Sequence, residues 1–200
     1  MSNLHRDFRV AVDGLRVKTP ETFANDWVRI ENGNIFSGDG KRVDQGYAFG
    51  ADVLAVAHGT VVSVRDDMPE ETPFQAPTAV HVLEDYAGNH VLLEIAPNVY
   101  AAYGHLQPGS LTVKVGDVVK AGAVLGKLGN SGNSTAPHLH FGLLDQPDFA
   151  AGRSLPFVFD SFTVVAVDVS VEGYSVRIVP ASPRAVESAY PLYPGIQDYP

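Results

Sequence analysis

Short runs of β-favouring residues, broken every few positions by Gly, Asn, Asp or Pro, constrain this chain more than any other feature. No long stretch sustains the 3.6-residue apolar period of an amphipathic helix. The pattern predicts strands over residues 8–12, 53–57, 60–65, 78–83, 90–95, 99–103, 111–115, 124–128, 138–143, 162–169 and 174–179. Between them, Asp13-Gly14, His58-Gly59, Gly88-Asn89, Gly116-Asp117 and Gly129-Asn130 supply residues that tolerate positive φ or bond their own backbone. Many short strands at such spacing predict an all-β fold, a partly open antiparallel β-barrel or sandwich.

The 200 residues suit one domain with an appendage. We expect the main β domain over 1–150, opened by an N-terminal hairpin over 5–22. The strands and Pro-rich tail of 151–200 are expected to pack on its flank, Val165, Val167 and Val169 turning one face inward. Residues 66–77, with Pro69, Pro73 and Pro77, read as a surface loop, and 180–200 as an extended tail. The pairs Lys41-Arg42 and Glu70-Glu71 read as solvated charge. With 14 basic and 23 acidic residues the net charge is −9, which weighs against a nucleic-acid partner. There is no cysteine, so disulfides, thiolate metal sites and cysteine nucleophiles drop out together. Any metal must rely on His, Asp or Glu. No apolar stretch approaches the ~18–20 residues of a transmembrane segment, and Met1 to Asp7 lacks the apolar run of a secretory signal.

The chemistry concentrates in Ala136-Pro137-His138-Leu139-His140-Phe141. Side chains alternate across a strand, so His138 and His140 share one side and start roughly 7 Å apart. Two imidazoles so placed can act together as metal ligand and acid/base partner. Upstream, Tyr103-Gly104-His105-Leu106 puts another histidine at a strand end. His81 and His90 are expected on the strands of one hairpin, facing solvent or each other.

Further pieces surround these histidines: Gly50-Ala51-Asp52-Val53-Leu54-Ala55, then Gly59-Thr60-Val61-Val62, and later Gly129-Asn130-Ser131-Gly132. Their order and spacing, over a matched core of residues 50–144, resemble the lysostaphin-type zinc metallopeptidases, which cut peptide bonds in bacterial peptidoglycan. The resemblance implies zinc as cofactor, a peptidoglycan peptide as partner and an extracytoplasmic location. It implies His140 as a zinc ligand, with His138 and His105 flanking the reacting water and oxyanion. Zinc with three protein ligands keeps a position for water and lowers that water's pKa toward ~7. The groove walls would come from residues 32–46 and 66–77, whose Asp66, Asp67, Glu70 and Glu71 suggest a cationic stretch of substrate.

The chain departs from the family upstream, where no His-x-x-x-Asp precedes residue 58. Direct spacing lands on Asp44, with Gly40 in the histidine position. The alternative, Phe23-Ala24-Asn25-Asp26-Trp27-Val28, resembles members with an insertion before the first hairpin. That alignment is favoured, because an acidic residue between apolar strand neighbours is unusual without a partner. It makes Asp26 the ligand and leaves Thr22 where the histidine should be. A two-residue turn at Asp13-Gly14 pairs Val12 with Leu15 and brings His5 opposite Thr22, so His5 is the expected third ligand, ahead of Glu21.

Three functions stay open at this point. One is a zinc endopeptidase with His5, Asp26 and His140 as ligands. Another is a degenerate module that keeps the groove without hydrolysis. The third, a histidine phosphocarrier, draws on Val113-Lys114-Val115-Gly116-Asp117-Val118 and the possible pairing of His105 with His138.

Overall fold

The computed structural model describes the backbone of residues 9–12, 15–18, 21–172, 175–191 and 196–198, and side chains over 21–165 and 182–191. Its strands in chain order are β1 (Arg9–Val12), β2 (Leu15–Lys18), β3 (Asn25–Trp27), β4 (Asp52–Leu54), β5 (Gly59–Arg65), β6 (Asn89–Ala96) and β7 (Val99–Leu106). There follow β8 (Val118–Val119), β9 (Val124–Lys127), β10 (Leu139–Leu144), β11 (Ser154–Leu155), β12 (Phe159–Glu172), β13 (Ser175–Ala189) and β14 (Ile196–Asp198). Helix among the described residues is confined to two 3₁₀ turns, Val43–Gln45 and Leu83–Asp85. The fold is all-β, and its sheets do not close into a barrel.

The main sheet runs β11-β10-β7-β6-β5-β8, with β3 also pairing β10. All of its pairings are antiparallel. Across one face lies the β4–β9 ribbon, and the core forms between them from Val53, Val61, Val91, Leu93, Tyr103, Leu125 and Phe141. Each such side chain taken fully out of water contributes about 1.5–3 kcal/mol. A separate sheet, β13-β12-β14, carries the C-terminal residues. There the expected tail from Pro180 onward is strand as far as Ala189. Pro180 and Pro183 are tolerated because β13 is an edge of its sheet, where a missing donor costs little. The side chains of Val167 and Val169 lie outside the described residues.

β1 and β2 pair Arg9 with Lys18 and Val12 with Leu15, the register that a two-residue turn predicts. The turn Asp13-Gly14 itself, and His5, lie outside the described residues.

Two expected strands are absent, for one physical reason. Over 78–83, the Glu71 carboxylate accepts the amides of Thr78 and Ala79 at 2.8 and 2.6 Å. Asp85 accepts those of His81 and Val82 at 2.9 and 3.1 Å. Over 111–115, Asp66 accepts from Leu111 at 3.4 Å and Asp117 from Lys114 at 3.0 Å. Carboxylates thus take amides that a ladder would have used.

The same contacts correct the reading of Glu70-Glu71 as solvated charge. Glu71 is 3% exposed, and Glu70 is half-buried with one oxygen accepting the Asn130 amide. The 66–77 loop also buries Met68, whose amide is held by Asn89 Oδ1 at 2.8 Å. His81 is exposed and off any strand. His90, on β6, donates from Nδ1 to the Gly88 carbonyl at 2.9 Å and packs on Phe149, so the two histidines do not face each other.

Candidate active site

β10 builds the site because it is paired on both edges. On one edge His140 stands opposite Gly104 of β7, and on the other it stands opposite Asp26 of β3. Directly opposed residues project from the same face. The Asp26 carboxylate accordingly meets the His140 ring, Oδ1 to Nδ1 at 3.0 Å. Alternation along the strand sends Phe141 the other way, into the core beside Tyr103. Gly104 lets β7 pass close to the Ala87 carbonyl, whose oxygen would lie 3.2 Å from a Cβ at that position.

His138 precedes β10 and joins the same side. Its Nδ1 lies 2.7 Å from the Ala136 carbonyl, which can only accept, so Nδ1 carries the proton. Ser134 Oγ lies 3.1 Å from that nitrogen and donates to Asn130 Oδ1 at 2.7 Å. The other ring nitrogen, Nε2, is aimed at Asp26 Oδ1, 3.5 Å away.

His105 reaches the cleft by breaking the strand pattern. On a regular β7 it would share the inward face of Tyr103. Its φ of +61°, a left-handed value rare for a residue with a Cβ, instead turns the ring over to His140. The strained backbone is held by its amide to Ala87 at 2.8 Å and by its carbonyl to the Gly129 amide at 3.0 Å. Its Nδ1 donates to the Ser131 carbonyl at 2.8 Å, leaving the Nε2 lone pair free. The ring centroid is 4.6 Å from that of His138 and 5.8 Å from that of His140. Burial, with His138 and His140 close by, holds the His105 pKa well below the usual histidine value, so the ring is neutral.

The residues gathered here suit one metal ion. Donor atoms of His105, His138 and His140 all lie within 4.8 Å of one another. Asp26 Oδ1 adds an oxygen at 3.0 and 3.5 Å from two of those rings. Imidazole nitrogens and a carboxylate oxygen are the donor types that divalent transition metals such as zinc accept.

Asp44, the alternative to Asp26, is exposed and paired with Arg42. Thr22 is buried at 3% exposure. Glu21 is half-buried. The expected groove walls meet where Phe36 packs on Phe74, their centroids 5.5 Å apart, and Phe74 is tied by its amide to Thr135. Of the four carboxylates expected to line the groove, three are engaged by backbone amides and Asp67 stays exposed. Asp67 pairs with Arg65, and Asp66 accepts loop amides. Sequence reasoning missed Ser131 and Ser134, which orient His105 and His138; their only signal was their place in the Asn-Ser-Gly-Asn-Ser run.

Residues 39–149 match the sequence model of Peptidase family M23. Lysostaphin of Staphylococcus simulans is 36% identical over 74 residues, 35% of this chain and 15% of its own length. The peptidoglycan DD-endopeptidase ShyA of Vibrio cholerae is 39% identical over 59 residues, 30% of this chain and 13% of its own. The chain therefore spans only a small part of these curated relatives. Among solved structures, the catalytic domain of Staphylococcus simulans lysostaphin is 25% identical, covering 62% of this chain and 86% of that one with a TM-score of 0.38. The catalytic domain of the prophage-encoded protein EnpA of Enterococcus faecalis is 23% identical, covering 65% and 93% with a TM-score of 0.41.

Proposed function

Since the chain belongs to Peptidase family M23, we propose that its cleft is that of a zinc-dependent endopeptidase acting on the peptides of bacterial peptidoglycan, outside the cytoplasm. The observation that carries this reading is the meeting of Asp26 with His140 beneath two further imidazoles. In this reading Asp26 and His140 hold zinc, with His5 as the third ligand. Bound there, zinc supplies a water acidic enough to ionise near pH 7 and polarises the scissile carbonyl.

The remaining work falls to His105 and His138. Each has Nδ1 committed to a carbonyl, Ser131 for one and Ala136 for the other, so Nε2 is the atom that exchanges protons. A neutral His105 can take a proton from the attacking water through Nε2 and return it to the leaving amine. His138 Nε2, when protonated, donates to the oxygen that gains charge as the carbonyl is attacked. Ser131 and Ser134 act as positioning residues for the two rings. Two relatives, a glycyl-glycine endopeptidase of Staphylococcus capitis and a peptidoglycan DD-endopeptidase of Vibrio cholerae, support the substrate class.

The test is release of free amines from purified peptidoglycan by the zinc-loaded protein, compared with His105→Ala. Release that depends on His105 and stops with a chelator is expected. Stoichiometric zinc with no cleavage of any peptidoglycan would contradict the enzymatic reading and leave a binding groove.

A further inference from the structure

β3 is only three residues long and pairs β10 over three positions. A strand so short frays unless other contacts hold it, yet it carries Asp26. Its contacts come from far along the chain. The Phe23 amide donates to Ser154 Oγ at 2.9 Å, and the Phe23 carbonyl accepts from the Tyr190 hydroxyl at 3.2 Å. At the other end, Trp27 packs edge-on to Phe159, with centroids 6.0 Å apart. Phe159 continues into Phe157 at 5.6 Å, and Phe157 touches both Tyr190 at 5.3 Å and Phe141 at 5.4 Å. Both ends of β3 are therefore gripped by one polar and aromatic cluster drawn from residues 154–190. That segment and β3 lie on opposite sides of the 39–149 stretch that matches the family, and neither is part of it.

We propose that Ser154, Phe157, Phe159 and Tyr190 form a clamp and act as positioning residues for Asp26. The clamp fixes β3 in the register that sets the Asp26 carboxylate against His140. Its consequence for metal binding rests on the assignment of Asp26 as a ligand; its consequence for strand order does not. The chain thus compensates for a ligand placed outside the matched stretch by tethering its strand with a C-terminal addition.

The test compares the full chain with a Ser154→Ala/Tyr190→Phe double variant, a Ser154→Thr variant and an Asp26→Ala control. Amide hydrogen exchange of the metal-free proteins reads strand order at 25–27, and chelator competition reads zinc affinity. Loss of two hydrogen bonds should speed exchange over 25–27 roughly ten-fold while β6 and β7 stay protected. It should also weaken zinc about ten-fold, the lower end for groups that orient a ligand. Ser154→Thr, which keeps the hydroxyl, should behave as the parent. Unchanged exchange at 25–27 in the double variant would overturn the clamp. Faster exchange with unchanged zinc in both the double variant and Asp26→Ala would support the clamp and overturn only the ligand assignment.

Discussion

Asp26 Oδ1 lies 3.0 Å from His140 Nδ1, although 114 positions separate the two residues in sequence. The pairing follows from register: β3 and β10 place these residues directly opposite each other. A slip of one residue would turn Asp26 to the other face and bring Asn25 or Trp27 to the cleft. The site therefore depends on a three-residue strand being held in place.

His105→Ala and His138→Ala should each reduce kcat for peptide hydrolysis by about 10²–10⁴-fold, the usual worth of a positioned acid or base. Neither is assigned to hold zinc, so metal content should stay at one equivalent. Steady-state kinetics alongside elemental analysis separates the two effects, and zinc loss in either variant would move that residue into the ligand set.

Glu71→Ala should destabilise the fold by about 2 kcal/mol, since it strips partners from the Thr78 and Ala79 amides and the Thr78 hydroxyl. The 78–83 segment would lose the carboxylate that replaces its ladder. Urea denaturation measures the loss, and a change within about 0.5 kcal/mol would show the segment to be held by other contacts.

Glu70 gives the protein a pH dependence of definite sign. Burial raises its carboxyl from 4.5 to about 7, against the opposing effect of the Asn130 amide. Between those values the folded chain keeps a proton that the unfolded chain has released. Stability is then greatest below about pH 4.5, falls as pH rises to about 7, and levels off above. After allowance for solvent screening the contribution is about 1 kcal/mol. Glu70→Gln should remove that slope, read as the difference between variant and parent in denaturation at pH 4.5 and 7.5. Parallel pH profiles would mean that Glu70 is ionised throughout.

Gly88→Ala should impair catalysis as well as stability. Gly88 has φ +62°, and a Cβ there would lie 2.5 Å from the Ser131 carbonyl oxygen, which orients His105. Displacing that backbone should lower kcat by at least ten-fold through a misaligned Nε2. Zinc content should be retained, and full activity would show that Ser131 does not set the ring.

Much of this was legible in the sequence, and the rest was hidden for physical reasons. Alternation alone places His138 and His140 on one side, and the Phe23-Ala24-Asn25-Asp26-Trp27-Val28 segment brings Asp26 forward as a candidate. The buried carboxylates were missed because charge reads as solvated until its donors are known. Glu71 and Asp85 find theirs within eight residues, in backbone amides that carry no side-chain signal. The same capture removes the expected strands at 78–83 and 111–115, whose β-propensity is real but whose amides are occupied. His105 was readable as a residue and unreadable as a geometry, since its positive φ comes from bonds to Ala87 and Gly129. The clamp on β3 joins Phe23 to Tyr190 across 167 positions, a distance no local pattern reports.

The most direct measurement of the central claim is zinc content by elemental analysis after dialysis, for the parent chain, Asp26→Ala and His140→Ala. One equivalent in the parent and less than a tenth in each variant is the predicted result, because each loses a zinc ligand. One equivalent retained by both variants would contradict it, and would mean that the meeting of Asp26 and His140 is not where the metal binds.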